Sequence, residues 1–257
     1  VFTLLGSVLF GGKSEKALDA AMAVEVFHNF TLIHDDIMDQ AEVRRGYPTV
    51  HLKYNTNTAI LSGDVMMIQA YQYLLCYDDP VLVKDMLQVF NKMAAEVCEG
   101  QQMDMDFETL EMVTIGDYLE MITKKTSVLM GASFRLGAMI AGADIQDQVH
   151  IYEFAKNFGI AFQLQDDVLD TFGDGSQVGK KIGGDIVQNK KTYLYLKAME
   201  LSDNSQQDTL IQLYSNKNIG FNPENKIEQV TQIFESVNVR EYTSQLIEAY
   251  KDLAISH

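Results

Sequence analysis

The hydrophobic and polar positions along this chain show little of the period-two alternation that predicts half-buried strands. The best candidate, residues 49–54, is short enough to be an extended loop. Proline occurs at only three positions, and residues 81–222 contain none. Long proline-free segments rich in Ala, Leu, Met, Glu and Gln favour helix, because proline interrupts helix interiors and these residues have high helix propensity. The predicted fold class is therefore all-α.

The bounds of the predicted helices follow the positions of Gly and Pro. Residues 1–10 are apolar and uncharged, and we predict that they belong to a helix. Residues 14–45 contain neither Gly nor Pro, which predicts one long helix that stops at Gly46 and Pro48. Further helices are predicted at 58–75, 80–99, 115–141, 147–172, 190–201, 206–213, 223–236 and 239–253. Residues 171–184 are rich in Gly, Lys and Asp and are predicted as a loop. Because no fixed-period repeat, linker or low-complexity tract interrupts the chain, we predict a single domain over residues 1–257.

Composition and charge exclude several classes of protein. Lys and Arg number 20 and Asp and Glu 36, so the net charge of -16 argues against general affinity for nucleic acid. No apolar run approaches the roughly 20 residues needed to span a bilayer, so we predict no membrane span. Only two cysteines occur in 257 residues, which indicates a reducing compartment. We therefore predict a cytoplasmic protein.

An aspartate pattern occurs twice in apolar helical sequence. Its copies are Asp35-Asp36-Ile37-Met38-Asp39 and Asp166-Asp167-Val168-Leu169-Asp170. Residues three and four apart are neighbours on a helix, so each copy gathers carboxylates along one edge. Such carboxylates repel unless a cation lies between them, and magnesium prefers hard oxygen ligands. A solvated acidic face would explain one such cluster, but two identical patterns in apolar helices predict magnesium sites.

Basic residues occur in pairs near these acidic motifs. The pairs are Arg44-Arg45, Lys124-Lys125, Lys180-Lys181 and Lys190-Lys191. The planar fork of arginine suits phosphate oxygens, and lysine acts as a mobile point charge. Most lysines in proteins are ordinary surface bases. Here, however, a chain with only 20 bases places them in pairs around its acid clusters, which predicts a diphosphate held by metal ions and basic side chains.

In their order and spacing, these motifs resemble the trans-isoprenyl diphosphate synthases of the polyprenyl synthetase family. The resemblance covers nearly the whole chain and includes the segments 32–39 and 44–51, Gly63-Asp64, Gly100-Gln101, Lys125-Thr126, Arg135-Leu136-Gly137, residues 162–167, Gly179-Lys180 and Gly183-Gly184-Asp185. It implies an isoprenoid synthase-type helical bundle around a central active-site cavity. It also implies a homodimeric prenyltransferase that condenses isopentenyl diphosphate with an allylic diphosphate.

The resemblance also implies a role for each candidate site residue. It places about three magnesium ions on six aspartates, two ions on the first set and one on the second: Asp35, Asp36 and Asp39, then Asp166, Asp167 and Asp170. Together with Lys125, these aspartates form the implied catalytic set. Arg44 would contact the allylic diphosphate, and Arg45 and His28 the isopentenyl diphosphate. The rest of the allylic pocket would be Lys125, Thr126, Gln163, Lys180 and Lys190. The alternative for His28 is an ordinary core histidine.

Two further expectations concern the ends of the substrate site. The Gly-Lys-Arg segment of the family, which supplies a Lys and an Arg to the isopentenyl diphosphate site, would lie before Val1, so we expect the N-terminal part of the family domain to be missing here. The resemblance makes Phe30, five residues before the first aspartate motif, a floor of the pocket, with Thr31 and Phe27 beside it. This implies a short product of fifteen or twenty carbons. The alternative is that these aromatic rings are ordinary core.

Three other functions compete with the synthase. A class I terpene cyclase shares the first aspartate motif, but usually carries an Asn/Ser/Glu-type second motif where this chain repeats aspartates. A non-catalytic subunit of a heteromeric synthase typically loses these aspartates, and all six are present here. An acidic calcium-binding module would need an Asp-x-Asp-x-Asp-Gly loop spacing, which these motifs lack. The sequence therefore favours a prenyl diphosphate synthase.

Overall fold

The computed structural model describes residues 1–110, 112–173, 182–215 and 222–257, and most of these residues are helical. The prediction of an all-α fold is confirmed. The helices are α1 (Phe2–Leu9), α2 (Leu18–Met38), α3 (Val50–Lys53), α4 (Thr56–Leu74), α5 (Pro80–Phe107), α6 (Ile115–Ile122), α7 (Val128–Ala141), α8 (Ile145–Phe172), α9 (Gly184–Val187), α10 (Tyr193–Leu201), α11 (Asn204–Leu213), α12 (Pro223–Ser236) and α13 (Val239–Ile255). A 3-10 turn (Ser14–Ala17) precedes α2, a π-helical turn (Thr123–Ser127) joins α6 to α7, and strands β1 (Val43–Arg44) and β2 (Tyr47–Pro48) form a hairpin.

The long helix predicted at 14–45 ends earlier than expected, at Met38. Beyond it the chain turns into the β1–β2 hairpin, in which Arg44 pairs with Tyr47. Arg45 and Gly46 form the two-residue turn with φ angles of 53° and 81°. Two consecutive left-handed residues match the twist of a tight hairpin. Gly46 was predicted as a helix stop, but the positive φ of Arg45 could not be predicted, because a residue other than glycine seldom adopts it.

Smaller differences occur at other elements. The prediction of an extended segment at 49–54 is wrong over α3, and the short helix α9 was not predicted. The predicted helix 80–99 continues to Phe107, and the one predicted at 190–201 begins only at Tyr193. The helix predicted within residues 1–10 is confirmed as α1. Of the predicted loop 171–184, residues 174–181 lie outside the described part of the chain.

The described residues form two compact units. The first unit comprises Val1–Ala95 and Leu129–Ala155, and the second Glu96–Val128 and Lys156–His257. In the first unit, α2 and α4 pack against each other. Its fully buried side chains include Phe27, Leu74, Met86 and Phe90, and the rings of Phe27 and Phe90 meet edge to face at a centroid distance of 5.3 Å.

The second unit has its own hydrophobic core. Residues of α6, α8, α10, α11 and α12 meet there, among them Tyr118, Leu164, Leu194, Leu210 and Phe234. This core surrounds the last turns of α8 and thereby places the second aspartate motif beside α6. The prediction of a single domain over 1–257 stays a prediction. Within the described residues, no helix combines the length and the apolar character needed to cross a membrane.

Candidate active site

The first aspartate cluster lies at the C-terminal end of α2, where the hairpin returns Arg44 to it. The Nε and Nη2 atoms of Arg44 donate to Oδ1 of Asp36 at 2.8 and 2.6 Å, and Nη2 also donates to Oδ2 of Asp35 at 3.3 Å. Asp36 is only 4% exposed. Burial alone would lower the pKa of Arg44, but hydrogen bonding to Asp36 and the negative charges of Asp36 and Asp35 raise it. A guanidinium therefore compensates the negative charge of this cluster.

A close contact between α2 and α4 fixes the cluster from the other side. His34 Nε2 lies 3.1 Å from the carbonyl oxygen of Ile60 and 3.8 Å from Oδ1 of Asp64. A Cβ atom at Gly63 would lie 2.3 Å from His34 Nε2. Only glycine leaves room for the imidazole at this point, so the Gly63-Asp64 motif sets how α4 passes the end of α2.

The three residues expected to contact substrate in this unit, His28, Arg44 and Arg45, influence one another electrostatically. Burial lowers the pKa of His28. The charge of Glu25 raises it, and those of Arg45 and Arg44 lower it further. At neutral pH the imidazole is therefore uncharged. The structure brings the histidine into the field of the two arginines, and the substrate roles of all three stay predictions.

The three residues expected to set product length lie on the same helix as His28. Phe27 is fully buried and Phe30 is 7% exposed, with ring centroids 5.4 Å apart. The ring of Phe30 also contacts that of His34 at 4.8 Å. The hydroxyl of Thr31 donates to the carbonyl of His28 at 2.8 Å. Both phenyl rings belong to the core of the first unit, and their role in product length stays a prediction.

The second aspartate motif opens onto a cavity of about 200 Å³ within the second unit. The charged residues that line it are Asp104, Glu108, Lys125, Asp166, Asp167, Asp185, Lys190 and Lys191. Phe107, Met121 and Ile122 supply apolar walls. Acids, bases and apolar side chains therefore share a small space, which suits a ligand with an anionic head and a hydrocarbon portion.

Asp167 is the most deeply buried carboxylate of this cavity, with 3% exposure. It accepts hydrogen bonds from the hydroxyl of Tyr118 and, at 3.2 Å, from Nε2 of Gln163. Thr126 Oγ1 in turn donates to Gln163 Oε1 at 3.3 Å. Burial raises the pKa of Asp167 well above its ordinary value, and the negative charges of Asp185 and Asp166 add to the effect. Neutral donors thus hold a carboxyl group whose surroundings disfavour its charge.

Lys125 and Thr126 owe their placement to the π-helical turn between α6 and α7. The N–H of Val128 donates to the carbonyl of Thr123, five residues back. A Cβ atom at Gly100 would lie 2.2 Å from the backbone nitrogen of Lys125, so α5 can pack on this turn only through glycine. Single π-helical turns inside α-helices are frequent at functional sites. Here the turn presents Lys125 and Thr126 at the cavity.

Asp104 of α5 connects the two predicted lysines of the cavity. Its Oδ2 accepts from Lys125 Nζ at 2.5 Å and lies 3.9 Å from Lys190 Nζ. Burial alone would raise the pKa of Asp104, but the positive charges of Lys125 and Lys190 outweigh it and lower the pKa. Neither Asp104 nor Tyr118 was among the site residues predicted from the sequence. The available signals were helical spacing: Asp104 lies four residues after Gly100, and Tyr118 seven residues before Lys125.

Asp170 has a different environment from Asp166 and Asp167. Its Oδ2 accepts from the N–H of Asp185 at 3.0 Å, and its carbonyl accepts from the N–H of Gly183 at 2.7 Å. Gly183 has a φ angle of 79°, in the left-handed region that favours glycine. Asp170 therefore anchors the backbone of the Gly183-Gly184-Asp185 motif, and its expected part in metal binding stays a prediction.

The donor atoms of both motifs suit magnesium. In the described residues, no three His, Cys, Asp or Glu side chains form a ready-made metal cluster. Magnesium does not require one, because it keeps several waters and takes one or two carboxylates plus substrate phosphates. Asp166, Asp167 and Asp185 line the same cavity, and the negative charges of Asp185 and Asp166 add to the burial that raises the pKa of Asp167. A divalent cation would relieve this repulsion, so the residues present fit the ion.

The structure thus groups most of the predicted site residues within one unit or the other. Asp39 is the residue that caps the C-terminal end of α2, next to Asp35 and Asp36. Lys125, Thr126, Gln163, Asp166, Asp167 and Lys190 line the cavity of the second unit. Lys180 lies outside the described residues.

Comparison with known proteins gives a consistent result. The family model described as Polyprenyl synthetase matches residues 1–236. A short chain isoprenyl diphosphate synthase of Methanocaldococcus jannaschii is 43% identical over 205 residues, which cover 80% of this chain and 62% of that relative. The chain therefore spans less than two thirds of the length of this relative.

Solved structures agree with the sequence comparison. A crystal structure of a geranylgeranyl pyrophosphate synthase superposes with a TM-score of 0.94 at 46% identity, covering 99% of this chain and 78% of the other. A polyprenyl synthase from Caulobacter crescentus, solved in complex with calcium and isoprenyl diphosphate, gives a TM-score of 0.88 at 26% identity, covering 98% and 75%.

Proposed function

The chain belongs to the polyprenyl synthetase family, and from this premise we propose that it is a trans-prenyltransferase. It would condense isopentenyl diphosphate head-to-tail with an allylic diphosphate and release diphosphate. The product would be an all-trans prenyl diphosphate of fifteen or twenty carbons. The observation that carries this proposal is the cavity of the second unit, where Lys125 and Lys190 converge on Asp104 beside Asp166 and Asp167.

The two aspartate motifs would hold the metal. We propose about three magnesium ions, with ligands from Asp35, Asp36 and Asp39 and from Asp166, Asp167 and Asp170. When bound, magnesium supplies positive charge that neutralises the diphosphate and stabilises it as a leaving group. Carboxylates gathered by repeated motifs, with one of them at a raised pKa, support this assignment.

The basic residues would bind the two diphosphates. Arg44, whose guanidinium already orients the first aspartate motif, would contact the allylic diphosphate. Arg45 and His28 would contact isopentenyl diphosphate, with the histidine neutral and donating a hydrogen bond. Lys125 and Lys190 would bind the allylic diphosphate in the cavity, and Lys180 would join them by family resemblance.

The reaction proceeds by ionisation, condensation and elimination. The carbon–oxygen bond of the allylic diphosphate breaks, and its electron pair leaves with the diphosphate. Lysines already in place stabilise that developing charge without reorganisation. The double bond of isopentenyl diphosphate attacks the allylic cation to form the new carbon–carbon bond. A proton is then lost to the released diphosphate, which leaves a new double bond.

Other residues of the cavity would protect the cation. The dipoles of Thr126 and Gln163 suit a positive charge, and the two side chains are already hydrogen-bonded to each other. Phe107, Met121 and Ile122 present apolar surface that excludes water, which would otherwise quench the cation. No covalent enzyme intermediate is needed.

One assay tests the proposal. The chain is incubated with magnesium, isopentenyl diphosphate and, in parallel, allylic diphosphates of five, ten and fifteen carbons, and the products are identified by mass spectrometry. Asp35→Ala is the inactive variant, and Asp252→Ala, an exposed position on α13, is its matched control. We expect elongated diphosphates from the chain and the control but not from Asp35→Ala. Cyclic hydrocarbons would favour a terpene cyclase, and no turnover in the presence of magnesium would contradict the proposal.

We also propose a homodimer in the cytoplasm. Family membership supports the dimer, and the scarcity of cysteines supports a reducing compartment. Sedimentation velocity over a range of concentrations tests the first: a species that stays at the mass of one chain would contradict it.

A further inference from the structure

Lys226 is a buried lysine on α12 and belongs to none of the motifs discussed above. The residue is 7% exposed. Its Nζ donates to the carbonyl oxygen of Ile186 and to Oδ1 of Asn189, and it lies 5.0 Å from the centroid of the Tyr214 ring. Among the described residues, no acidic side chain forms an ion pair with it. Its contacts are therefore a carbonyl, an amide and an aromatic face.

Both acceptors of Lys226 belong to one tight turn. Ile186 lies in α9, and Asn189, two residues beyond the end of this helix, has a left-handed φ angle of 59°. Within this turn, the N–H of Lys190 donates to the carbonyl of Asp185 at 2.9 Å. Lys226 thus links Ile186, in α9, to Asn189, the residue with the left-handed φ angle.

This turn forms a wall of the cavity in the second unit. It supplies the lining residues Asp185, Asn189, Lys190, Lys191 and Thr192. Lys226 approaches the turn without being one of the cavity-lining residues. A shift of the turn would therefore move a carboxylate and a lysine of the proposed site together.

Several contacts hold the wall in place, and those of Lys226 lie between those of Asp170 and Lys191. At its start, Asp170 accepts from the N–H groups of Gly183 and Asp185. At its end, Lys191 Nζ donates to the carbonyls of Phe107, at 2.9 Å, and Leu110, beyond the C-terminal end of α5. Between these anchors, the contacts of Lys226 tie the turn to α12.

We propose that Lys226 is a positioning residue for the diphosphate site: its Nζ fixes the turn after α9 and so places Asp185 and Lys190 at the cavity. The inference rests on the proposed function, because the groups it places are those expected to bind a magnesium–diphosphate unit. Lys226 itself does not contact the substrate.

Stability alone does not account for a lysine here. A buried charge without a carboxylate partner is unfavourable, and burial lowers the pKa of Lys226 to about 8. A methionine of similar length would cover the same apolar surface. The Ile186 carbonyl also accepts the N–H of Asn189 at 3.2 Å, so it would keep a partner. What methionine could not do is join Ile186 to the Asn189 side chain.

The first test compares Lys226→Met with Lys251→Met. Lys251 is a matched control because it lies on the surface of α13, where its Nζ pairs with Glu248 at 2.7 Å. We expect Lys226→Met to lower kcat/KM for the allylic diphosphate about tenfold and to raise the magnesium concentration for half-maximal activity by a similar factor, as loss of a supporting contact at a metal site does. A purely structural role would leave the magnesium requirement unchanged. Lys251→Met should match the wild type.

A second variant keeps the test decisive if Lys226→Met folds poorly. Asn189→Gly retains the left-handed backbone and removes the amide that Lys226 binds. It should reproduce both effects, and in the double variant the losses should not add, because both act through one contact. Wild-type values for both single variants would overturn the inference, and so would fully additive losses.

A binding measurement separates this inference from the proposed function. Calorimetry records the affinity of each protein for inorganic diphosphate in the presence of magnesium, without turnover. If the wild type makes no product but binds diphosphate about tenfold more tightly than Lys226→Met, the proposed function fails and the positioning role holds. Equal affinities of wild type and variant, or no binding by either, would overturn the positioning role whatever the assay shows.

Discussion

The two aspartate motifs share five-residue spacing but have opposite electrostatic surroundings. Asp36 in the first unit receives two hydrogen bonds from the guanidinium of Arg44. Asp167, at the same motif position in the second unit, receives bonds from the neutral groups of Tyr118 and Gln163 and feels the charge of Asp185. The repeated motif therefore fixes the identity of the donor atoms, whereas the surrounding elements fix their charge.

The contrast has a consequence for metal binding. When magnesium binds to the first motif, the aspartates must either break their ion pair with Arg44 or share it with the metal. A buried carboxyl with a raised pKa must instead lose its proton, which makes metal binding depend on pH. Identical substitutions in the two motifs should therefore have different effects on the metal-free protein.

The substitutions Asp36→Asn and Asp167→Asn should show the largest difference between the two motifs. In chelator-treated protein at pH 7, Asp36→Asn should lower the free energy of unfolding by about 2 kcal/mol, because it removes charge-assisted hydrogen bonds from a buried site. Asp167→Asn should not lower it, because the surroundings already disfavour the charge that is removed. Urea unfolding of both variants and the wild type measures the difference. Equal losses in the two variants would show that the motifs are electrostatically alike.

Asp104 offers a second comparison, since it is a cavity-lining carboxylate of the second unit whose partners are two lysines. Its lowered pKa means that the folded state binds the proton less tightly than the unfolded state does. The stabilisation is therefore present above the ordinary carboxyl pKa of 3.8 and is lost as the pH falls through the lowered value. Asp104→Asn should cost about 1–2 kcal/mol at pH 7 and progressively less below pH 4.

Urea unfolding of the wild type and Asp104→Asn between pH 7 and pH 3 provides this measurement. Asp106→Asn is the matched control, because Asp106 lies on the same helix and is exposed. A difference between wild type and Asp104→Asn that stays constant down to pH 3 would mean that the lysines do not stabilise the ionised carboxylate.

The sequence predicted the helices well because long proline-free segments leave few alternatives. It failed where the outcome depended on single backbone angles. The chain leaves α2 after Met38, next to Gln40 with its φ angle of 50°, and the positive φ angles of Arg45 and Gly46 form the hairpin that returns Arg44 to the aspartates. The left-handed φ angle of Asn189 likewise turns the backbone after α9. Hydrophobic periodicity carries no signal for any of these backbone angles.

The residues of the candidate site likewise fall into those that the sequence could predict and those that it could not. Motif residues were predictable because charged residues in repeated, apolar contexts stand out. Asp104 and Tyr118 were missed, because helical spacing from Gly100 and Lys125 does not single out one acid among 36 or one tyrosine among 12 until the fold brings them to Lys125 and Asp167. Lys226 was missed because its partners are a backbone carbonyl and an amide, which lie about 40 residues earlier in the chain. Partners chosen by tertiary packing are what the sequence could not supply.

The last prediction, with the smallest change in the free energy of unfolding, concerns Lys226, a buried base that has no carboxylate partner among the described residues. Burial lowers its pKa from 10.5 to about 8, so between these values the unfolded chain binds more protons than the folded one. The free energy of unfolding of the wild type should therefore rise relative to that of Lys226→Met as the pH increases from 8 to 10.5. We expect a gain of about 1 kcal/mol over this range, below the limit of about 1.4 kcal/mol per pH unit, or about 3.4 kcal/mol in total, for one proton. Urea unfolding at several pH values measures it, with Lys251→Met as the surface control. If the difference in the free energy of unfolding between wild type and Lys226→Met does not change across this range, the ammonium of Lys226 is as well solvated as that of a surface lysine. The argument that an unfavourable charge is retained for positioning would then lose its support.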